Sequence, residues 1–479
     1  METKEKLVVV GNGMAGARCV EEILARGGGD QFDMTMFGDE PYGNYNRILL
    51  SNVLNGSQDV SDIFLNPLEW YQENAIRLHA PSRVTKIDRV AKYVVATGEV
   101  EEPYDKLIIA TGSSAFIPPI DGLYMPEGDL KPGVFVFRSL DDCSRISSYA
   151  VKCRRAVVIG GGLLGLEAAR GLLNYGMEVD VVHLAPFLMN QQLDAPASAI
   201  LKAQMEKLGI RVLLEKSSRV ILGDESVTGI EFADGTTADC DMIVISAGIK
   251  PNVDLAMRCG LTVERAIVTD DQMRSVDDPD IYVVGECAQH RGRVYGLVAP
   301  LWEQGHVLAD HITRRNDRAA YHGSKIATKL KVMGVEVASM GTTMPIDDSD
   351  EVVTFSEPKK GTYKKLIVRD GVLVGAIMLG DLNKISFLIQ AFDRGLPLPD
   401  ERLELLFDIG APPIGTTLLE MPDTAQICNC NGVSKGHVRK CVEGGARSLK
   451  TVMERTRAGM GCGSCKKLVQ EVVEWLCEG

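Results

Sequence analysis

The feature that most constrains the fold of this chain is a glycine-rich turn that occurs twice, each time directly after a short apolar run. The first run, residues 7–10, is followed by Gly11, Gly13 and Gly16, and the second, residues 156–159, by Gly160, Gly162 and Gly165. A helix-like stretch and a second β-like run, residues 34–37 or 179–182, come after each turn. In such a unit the first glycine permits a tight turn, the second lets the backbone approach a pyrophosphate, and the third lets the helix pack on the strand. The chain is therefore predicted to be an α/β protein with two dinucleotide-binding domains.

Composition and charge restrict the other possibilities. Hydrophobic residues make up 45% of the 479 residues, which is ordinary for a globular protein of several domains. The formal net charge of −13 argues against non-specific binding to nucleic acid. The N-terminus lacks the pattern of a secretory signal, and no apolar run reaches the ~18 residues that suggest a membrane span. We therefore expect a cytoplasmic protein that has neither a membrane nor a nucleic-acid partner.

Two later strand-like runs end in short motifs that specify the first dinucleotide. Residues 104–112 end in Ala110, Thr111 and Gly112, and residues 280–286 end in Gly285 and Glu286. Together with the glycine turns, these motifs resemble those of the two-dinucleotide flavoprotein reductases, over roughly residues 5–315. The resemblance implies that FAD binds at the first glycine turn and that the Ala-Thr-Gly turn lies against it. It also implies that Glu286, where the family more often has aspartate, hydrogen-bonds the ribityl chain of the flavin.

Three residues near the second strand of the first unit are further candidate FAD contacts. The segment Tyr45-Asn46-Arg47 resembles the family segment that runs beside the flavin, which implies that Arg47 contacts FAD. Asp39 and Glu40 lie just beyond the β-like run 34–37 and could bind a ribose hydroxyl. They could equally form a solvated acidic loop, so both interpretations stay open.

The second glycine turn is predicted to bind the nicotinamide cofactor, because the same resemblance implies an NAD(P) domain inserted at this place. Gly248 lies in residues 246–252, which match the segment by which the family leaves that domain. Glu167 matches a family position near the nicotinamide ring, although the helix dipole alone could favour an acid there. His183 stands where an NAD-specific site usually has an acid for the ribose 2′-hydroxyl. Histidine would not repel a 2′-phosphate, but it could also be an ordinary strand-end residue, so NADH and NADPH both stay open.

A catalytic dithiol is not expected beside the flavin. Reductases of this fold that act on disulfides carry a paired cysteine motif, whereas the segment after Tyr45 has no cysteine and residues 121–250 have no Cys-x-x-Cys. Cys287, beside Glu286, is expected to be a buried packing residue. The protein residues are therefore expected to bind and position the cofactors rather than to act as catalytic acids, bases or nucleophiles.

Six of the twelve cysteines lie after residue 425. Four of them form a C-x-C pair and a C-x-x-C pair, namely Cys428, Cys430, Cys462 and Cys465. Four thiolates can hold a [2Fe–2S] cluster. A structural zinc site is the alternative, but its paired ligands are usually separated by roughly two to four residues, and C-x-C is tighter. Cys-Asn-Cys-Asn-Gly-Val-Ser and Gly-Cys-Gly-Ser-Cys also resemble the bacterioferritin-associated ferredoxin family, a small helical [2Fe–2S] module, which implies that these four cysteines ligate iron.

The order of these features predicts how the chain divides into domains. The predicted parts are an FAD domain (1–120 and 251–321), an inserted NAD(P) domain (121–250), a small α+β domain (322–408), a linker (409–425) and a [2Fe–2S] module (426–479). In the small domain, residues 325–337 and 364–379 alternate polar and apolar side chains and are predicted to form strands. Residues 383–394 are predicted to form a helix that is closed by Gly395.

This order of parts resembles the electron-input portion of the assimilatory nitrate and nitrite reductases. The matching parts are the N-terminal half of the NAD(P)H nitrite reductase large subunit and the electron-transfer subunit of nitrate reductase. The resemblance implies that NAD(P)H reduces FAD and that the cluster passes single electrons to a separate catalytic subunit, a molybdenum nitrate reductase or a sirohaem nitrite reductase. An NAD(P)H-dependent ferredoxin or rubredoxin reductase and a redox-sensing regulatory protein are the alternatives.

Overall fold

A computed structural model describes residues 4–332, 334–407, 421–428, 431–460, 463 and 465–478. The chain forms two compact units, each assembled from three segments. Unit 1 comprises Met1–Arg47, Asp59–Ser114 and Ile249–Ser324, and unit 2 comprises Ile48–Gln58, Ala115–Gly248 and Lys325–Gly479. Within the described ranges, no helix has the length and apolar character that crossing a membrane requires.

Thirteen α-helices, numbered in chain order, occur in the described residues. They are α1 Met14–Ala25, α2 Gly28–Gln31, α3 Leu50–Leu54, α4 Leu68–Glu73, α5 Leu140–Ala150, α6 Leu163–Leu173, α7 Ala195–Lys207, α8 Asp254–Arg258, α9 Val298–Ile312, α10 Ile385–Arg394, α11 Lys435–Glu443, α12 Leu449–Thr456 and α13 Lys466–Glu478.

The strands of the same residues are numbered in the same way. They are β1 Glu5–Val10, β2 Phe32–Phe37, β3 Asn44–Tyr45, β4 Phe64–Asn66, β5 Arg77–His79, β6 Val84–Asp88, β7 Tyr93–Ala96, β8 Val100–Pro103, β9 Lys106–Ile109, β10 Ser113–Ala115, β11 Val134–Val136, β12 Arg155–Ile159, β13 Glu178–Val182, β14 Ile210–Leu213, β15 Ser218–Leu222, β16 Gly229–Phe232, β17 Thr237–Asp239, β18 Met242–Ile245, β19 Ile249–Pro251, β20 Ile267–Thr269, β21 Arg274–Ser275, β22 Asp278–Val283, β23 Ala288–His290, β24 Ala327–Val332, β25 Val335–Gly341, β26 Glu351–Glu357, β27 Thr362–Arg369, β28 Val372–Leu379, β29 Gln426–Cys428 and β30 Val433–Ser434.

Unit 1 is built on an eight-stranded sheet in the order β23-β20-β21-β22-β9-β1-β2-β5. At its centre β1 pairs in parallel with β2 and with β9, and β9 pairs in parallel with β22. The apolar residues 7–10 of β1 are buried, as expected for a parallel strand covered on both faces. Because parallel neighbours end at the same edge of a sheet, the turns that follow β1, β9 and β22 emerge side by side.

A buried charge network joins α1 to α9 within unit 1. The Glu22 carboxylate lies 2.6 Å from the guanidinium groups of both Arg18 and Arg26, and 2.9 Å from Nδ1 of His306. Burial acts to raise the pKa of Glu22, but these hydrogen bonds and positive charges outweigh it and lower the pKa to about 2. The carboxylate is therefore ionised at neutral pH and holds α1, the helix that follows the first glycine turn, against α9.

Unit 2 repeats the same plan around a five-stranded parallel sheet. Its strand order is β11-β18-β12-β13-β14, and β12 pairs with β13 on one side and with β18 on the other. The strand, glycine turn, helix and second strand predicted from the sequence thus occur in both units, as β1-α1-β2 and β12-α6-β13. The α/β fold with two dinucleotide-type domains is confirmed.

The small domain within unit 2 is an antiparallel sheet with α10 packed on it. Its strand order is β24-β25-β28-β27-β26, and the core is formed by apolar residues of the sheet and of α10. Each predicted strand region proves to be a hairpin, because the chain reverses near Gly334 and Gly371, both of which have positive φ. The predicted helix is confirmed as α10, and Gly395 closes it in the left-handed conformation. Residues 408–420, most of the predicted linker, lie outside the described residues.

Asp194 joins the parallel sheet's helix α7 to the small domain. Its carboxylate accepts from the N–H of Ala197 at 3.1 Å, and so caps α7. The same carboxylate accepts from Tyr363 Oη and from Lys365 Nζ, each at 2.8 Å. The side chains of Asp194 and Lys365 are only 4% and 8% exposed, so the pair is almost fully desolvated. A buried lysine that loses its counter-charge is strongly destabilising.

We expect Asp194→Ala to lower the free energy of unfolding by about 3–5 kcal/mol, because Lys365 would stay buried without a partner. Glu206→Ala is the matched control on the same helix, since Glu206 makes an exposed pair with Lys202 that is worth about 0.3–0.5 kcal/mol. Urea unfolding of the cofactor-loaded protein, followed by circular dichroism, measures both. Equal losses in the two variants would contradict a stabilising role for the buried pair.

Candidate functional site

The first glycine turn leaves an open space in front of the N-terminus of α1. Gly11 has a φ of +115°, and a Cβ there would lie 2.2 Å from Ala110 O, so only glycine makes this turn. A Cβ at Gly16 would lie 2.0 Å from Gly11 O, which fixes α1 directly against β1. At Gly13, by contrast, a Cβ would meet no described atom within 4 Å. This space, faced by the free N–H groups that begin the helix, fits a pyrophosphate.

The side chain of Asn12, in the middle of this turn, is held by two tyrosines. Its Oδ1 accepts from the hydroxyl of Tyr71 at 2.6 Å, and its Nδ2 donates to Tyr42 O at 3.3 Å. Burial raises the pKa of Tyr71 to about 12, so the hydroxyl keeps its proton and remains a donor. No sequence motif marked Tyr71, and its role is visible only in the folded chain.

The Ala-Thr-Gly turn after β9 lies directly against the first glycine turn. The carbonyl of Ala110 occupies the place that a side chain at Gly11 would need. Thr111 Oγ1 donates to Asn252 O at 2.8 Å, and Asn252 Nδ2 donates to Thr111 O at 2.8 Å. The backbone N–H of Asn252 donates to Gly112 O at 2.9 Å. Asn252 therefore fixes the shape of the turn, a role that sequence reasoning did not assign to it.

The structure separates the two acids that follow β2. Glu40 forms an ion pair with Arg47 and accepts from Tyr45 Oη at 2.6 Å. The guanidinium of Arg47 lies 5.2 Å from the centre of the Tyr45 ring. Asp39 is exposed and pairs with Arg83 at 3.1 Å. Glu40 and Arg47, the two candidates in direct contact, form one polar cluster, and Asp39 belongs to the surface.

Glu286, at the end of β22, is oriented by a serine that the sequence motifs did not mark. Ser113 Oγ, which directly follows the Ala-Thr-Gly turn, donates to Glu286 Oε2 at 2.5 Å. Gly285 donates its N–H to Oε1 of the fully buried Gln304 at 3.0 Å. Glu286 is also close enough to contribute to the raised pKa of Arg47, in which nearby negative charges outweigh the effect of burial. The acids and the arginine of the candidate flavin site therefore act on one another electrostatically.

The second glycine turn has the same geometry. Gly160 has a φ of +127°, and a Cβ there would lie 2.1 Å from Ser246 O. A Cβ at Gly165 would lie 1.9 Å from Gly160 O, whereas at Gly162 nothing described lies within 4 Å. Gly248, in the turn after β18, has a φ of +120° and accepts from the N–H of Phe116 at 2.9 Å. This unit therefore also presents an open space at a helix N-terminus, here that of α6, which fits a second pyrophosphate.

His183 turns back toward this glycine turn. Its Nδ1 accepts from the N–H of Gly161 at 3.1 Å, so the ring proton is on Nε2. Burial lowers the pKa of His183, and the ring is neutral at pH 7. A neutral ring at this position neither attracts nor repels a 2′-phosphate by charge. Glu167 is half-buried in the second turn of α6, beyond the first turn in which a helix dipole favours acids.

Cys428 and Cys465 lie in one apolar core at the C-terminal end of the chain. Both are buried, together with residues of α11, α12 and α13. Asn431 Nδ2 donates to Arg457 O at 2.6 Å and so ties the loop after Cys428 to the end of α12. Cys430 and Cys462, the other two expected ligands, lie outside the described residues. The two cysteines that are described come from the two different sequence pairs, which fits a site shared by four thiolates.

The cysteines described outside this module do not form a redox pair. No cysteine described between Cys19 and Cys287 forms a disulfide. Cys287, next to Glu286, is completely buried, and burial raises the pKa of its thiol. A buried neutral thiol is a packing residue rather than a nucleophile.

Two dinucleotide-type turns at the ends of parallel strands, with Ala-Thr-Gly and Gly-Glu turns beside the first, define a flavoprotein reductase that uses FAD and a nicotinamide dinucleotide. A family model for pyridine nucleotide-disulphide oxidoreductases matches residues 5–305, and the chain belongs to that family. It is an NAD(P)H-dependent oxidoreductase with FAD as its flavin. Residues 327–396 match the rubredoxin NAD+ reductase C-terminal domain, and residues 426–475 match the BFD-like [2Fe-2S] binding domain. The C-terminal module therefore holds a [2Fe–2S] cluster rather than zinc.

Individual relatives share the order of these parts. The chain is 44% identical over 98% of its length to the nitrite reductase [NAD(P)H] of Bacillus subtilis, and covers 58% of that protein. It is 40% identical over 99% of its length to the assimilatory nitrate reductase electron transfer subunit of the same organism, and covers 60% of it. The chain thus spans about three fifths of the length of these relatives. The ferredoxin reductase of Rhodopseudomonas palustris has the same fold, with a TM-score of 0.74 and 24% identity over 84% of this chain and 99% of that chain.

We expect Gly162→Val to raise the Kd for the nicotinamide cofactor roughly 10²-fold or more, because the side chain would fill the space that the pyrophosphate needs. No described protein atom lies near the new Cβ, so thermal stability and FAD content should be unchanged. Gly160→Val is the contrast, since its Cβ would meet Ser246 O and disturb the fold itself. Kd values come from the rate of flavin bleaching at increasing NADH or NADPH. Normal cofactor binding in Gly162→Val would rule out this space as the pyrophosphate site.

We expect His183→Glu to lower the NADPH-to-NADH ratio of kcat/KM by roughly tenfold or more, since a carboxylate would repel the 2′-phosphate at close range and accept from the 2′-hydroxyl. His183→Gln is the matched control, because it changes the shape without adding charge. Steady-state kinetics with an artificial electron acceptor measure the ratio. If it is the same in both variants and the wild type, His183 does not select the cofactor.

Proposed function

We propose that this protein oxidises NAD(P)H and supplies single electrons, through its [2Fe–2S] module, to a catalytic reductase that acts on nitrate or nitrite. The observation that carries the proposal is the combination, in one chain, of two dinucleotide-type turns and a BFD-like module, in the order found in the Bacillus nitrate and nitrite reductase relatives. Bound FAD would accept a hydride and release its electrons singly, and a bound [2Fe–2S] cluster would take them one at a time.

The proposed task of the protein side chains is to bind and orient. In unit 1, Gly13 leaves room for the FAD pyrophosphate, while Arg47 and Glu286 face the flavin and its ribityl chain. Glu40, fixed by Arg47, is better placed than the exposed Asp39 to meet a ribose hydroxyl. In unit 2 the matching sites for NAD(P)H are Gly162, Glu167, His183 and Gly248. We propose the domain limits given by the sequence, with FAD held by residues 1–120 and 251–321, and NAD(P)H held by residues 121–250.

The proposed acceptor is a separate catalytic domain or subunit, of the molybdenum nitrate reductase or the sirohaem nitrite reductase type. The names of the Bacillus relatives, an electron transfer subunit and a nitrite reductase, support both. A cytoplasmic location is part of the proposal, because the cysteines described between Cys19 and Cys287 form no disulfide, as is usual in the cytosol.

A second candidate is a reductase for rubredoxin or a similar small redox protein. The match of residues 327–396 to the rubredoxin NAD+ reductase C-terminal domain favours it. In that case electrons could leave from the flavin without passing through the C-terminal module. The two functions therefore differ in whether the cysteine ligands are needed.

We expect Cys428→Ser and Cys465→Ser to lose the cluster and with it all electron delivery to the catalytic partner, because each removes one thiolate ligand. NAD(P)H oxidation with an artificial acceptor that draws on the flavin should keep its wild-type rate, since unit 1 and the parallel sheet of unit 2 have their own cores. Iron content, the visible spectrum and partner-linked nitrate or nitrite reduction are the measurements.

Cys441→Ser is the matched control for these variants. Cys441 lies in α11 of the same module and packs at the edge of its core, but it belongs to neither cysteine pair. It should keep iron and partner activity. If the cluster-free variants drove the partner at the native rate, electrons would leave from the flavin, and the second candidate would replace the first.

A further inference from the structure

The [2Fe–2S] module has a charge opposite in sign to that of the rest of the chain. Residues 426–479 contain nine lysines and arginines against five aspartates and glutamates, a formal charge of +4. The whole chain carries −13, which leaves −17 on residues 1–425. This positive charge exceeds the negative charge of an oxidised [2Fe–2S] cluster held by four thiolates. The module that holds the redox centre therefore carries a net positive charge, whereas the rest of the chain is acidic.

Part of this positive charge lies where the cysteine ligands are. Lys466 and Lys467 directly follow Cys465, begin α13 and are exposed. Arg457 is half-buried at the end of α12, where its carbonyl accepts from Asn431. Met460, 44% exposed, lies between Arg457 and the second cysteine pair. We call these four residues the cluster-end surface.

Two other basic residues of the module are far from this surface. Arg447 lies just before α12 and Lys450 lies in its first turn, and both side chains are exposed. Cys477, near the end of α13, contacts Arg447 O at 3.9 Å, which places the start of α12 beside the far end of α13. The 13 residues of α13 span about 20 Å. That separation exceeds the Debye length of about 8 Å at physiological ionic strength, so the two ends of the module act independently on a partner.

Helix stability does not account for Lys466 and Lys467. They occupy the first turn of α13, where the positive end of the helix dipole disfavours cations and favours acids, and this turn has no acid. Within the described residues, neither lysine forms an ion pair. Met460 adds an exposed apolar side chain of a flexible type that is common in binding surfaces. An apolar contact with a charged rim is typical of a transient protein–protein interface.

We propose that the cluster-end surface is the docking site for an electron-accepting protein whose own surface is acidic around its redox centre. The proposal rests on the function proposed above and specifies the partner's surface chemistry. Opposite charges raise association rates by roughly 10–10³-fold. The net charge of −17 on residues 1–425 repels the same acidic partner elsewhere. Attraction to this surface, together with repulsion from the acidic residues 1–425, favours orientations in which the partner meets the cluster-end surface.

The test compares two charge-reversed double variants of the full, cofactor-loaded chain. Lys466→Glu with Lys467→Glu changes the cluster-end surface, and Arg447→Glu with Lys450→Glu is the control with the same change in net charge. Two forms of one acceptor serve as probes, native cytochrome c, which is basic, and cytochrome c made acidic by succinylation of its lysines. Rates of NAD(P)H-driven haem reduction are measured at several ionic strengths. The cluster-free Cys428→Ser variant gives the rate at which electrons leave the flavin directly.

We expect the wild type to reduce the acidic acceptor faster than the basic one through the cluster, with a rate that falls as salt is added. The cluster-end variant should lose about tenfold or more of the rate with the acidic acceptor at low salt and gain with the basic one. The control variant should change far less, and flavin reduction by NAD(P)H should be unchanged in both.

The other outcomes separate the two proposals. Equal changes in both double variants would show that only net charge matters and would overturn the docking site. Equal losses with both acceptors in the cluster-end variant would mean that the lysines set the cluster's properties, which would overturn it as well. If Cys428→Ser reduced both acceptors as fast as the wild type, the cluster would not be the exit, and the proposed function itself would fail.

Discussion

The close approach between neighbouring strand ends is the constraint on which the rest of the molecule depends. At Gly11 the carbonyl of Ala110 occupies the place that a side chain would need, and at Gly160 the carbonyl of Ser246 does the same. These contacts allow α1 and α6 to pack closely on their sheets. Gly16 and Gly165, the third glycines of the two turns, permit this packing because a side chain there would clash with the first glycine of the turn. Only then does the second glycine of each turn stand at a helix N-terminus with free space in front of it.

Polar contacts between distant parts of the sequence then fix what surrounds these spaces. Asn252 shapes the Ala-Thr-Gly turn, Ser113 orients Glu286, and Tyr71 holds the side chain of Asn12. Glu22, which has a strongly lowered pKa, joins α1 to α9 through His306 and also pairs with Arg18 within α1 and Arg26 at its C-terminal end. The same principle recurs in each case. A buried polar group satisfied by several partners leaves one orientation open, so these contacts fix the backbone around the strand ends.

How much the sequence could predict follows from the range of the interactions. The strand–turn–helix–strand units, α10 and the helical C-terminal module depend on local periodicity and on glycine spacing, and the structure confirms them. The hairpin reversals near Gly334 and Gly371 were missed, because alternation of polar and apolar residues is the same on both sides of a turn. Tyr71 and Gln304 could not be predicted, since nothing near them in the chain marks the atoms they bind. His183 was correctly placed at a strand end, but its bond to Gly161 depends on tertiary packing.

The Asp194–Lys365 pair couples the small domain to the parallel sheet of unit 2. Asp194 is at once the cap of α7 and the counter-charge of a lysine in the antiparallel sheet, so neither element can shift without exposing a charge to an apolar surrounding. An uncompensated buried charge of this kind costs about 3–5 kcal/mol, so states in which the pair has separated are rare. Motion of the parallel sheet is therefore expected to carry the small domain with it, so that unit 2 moves as one body.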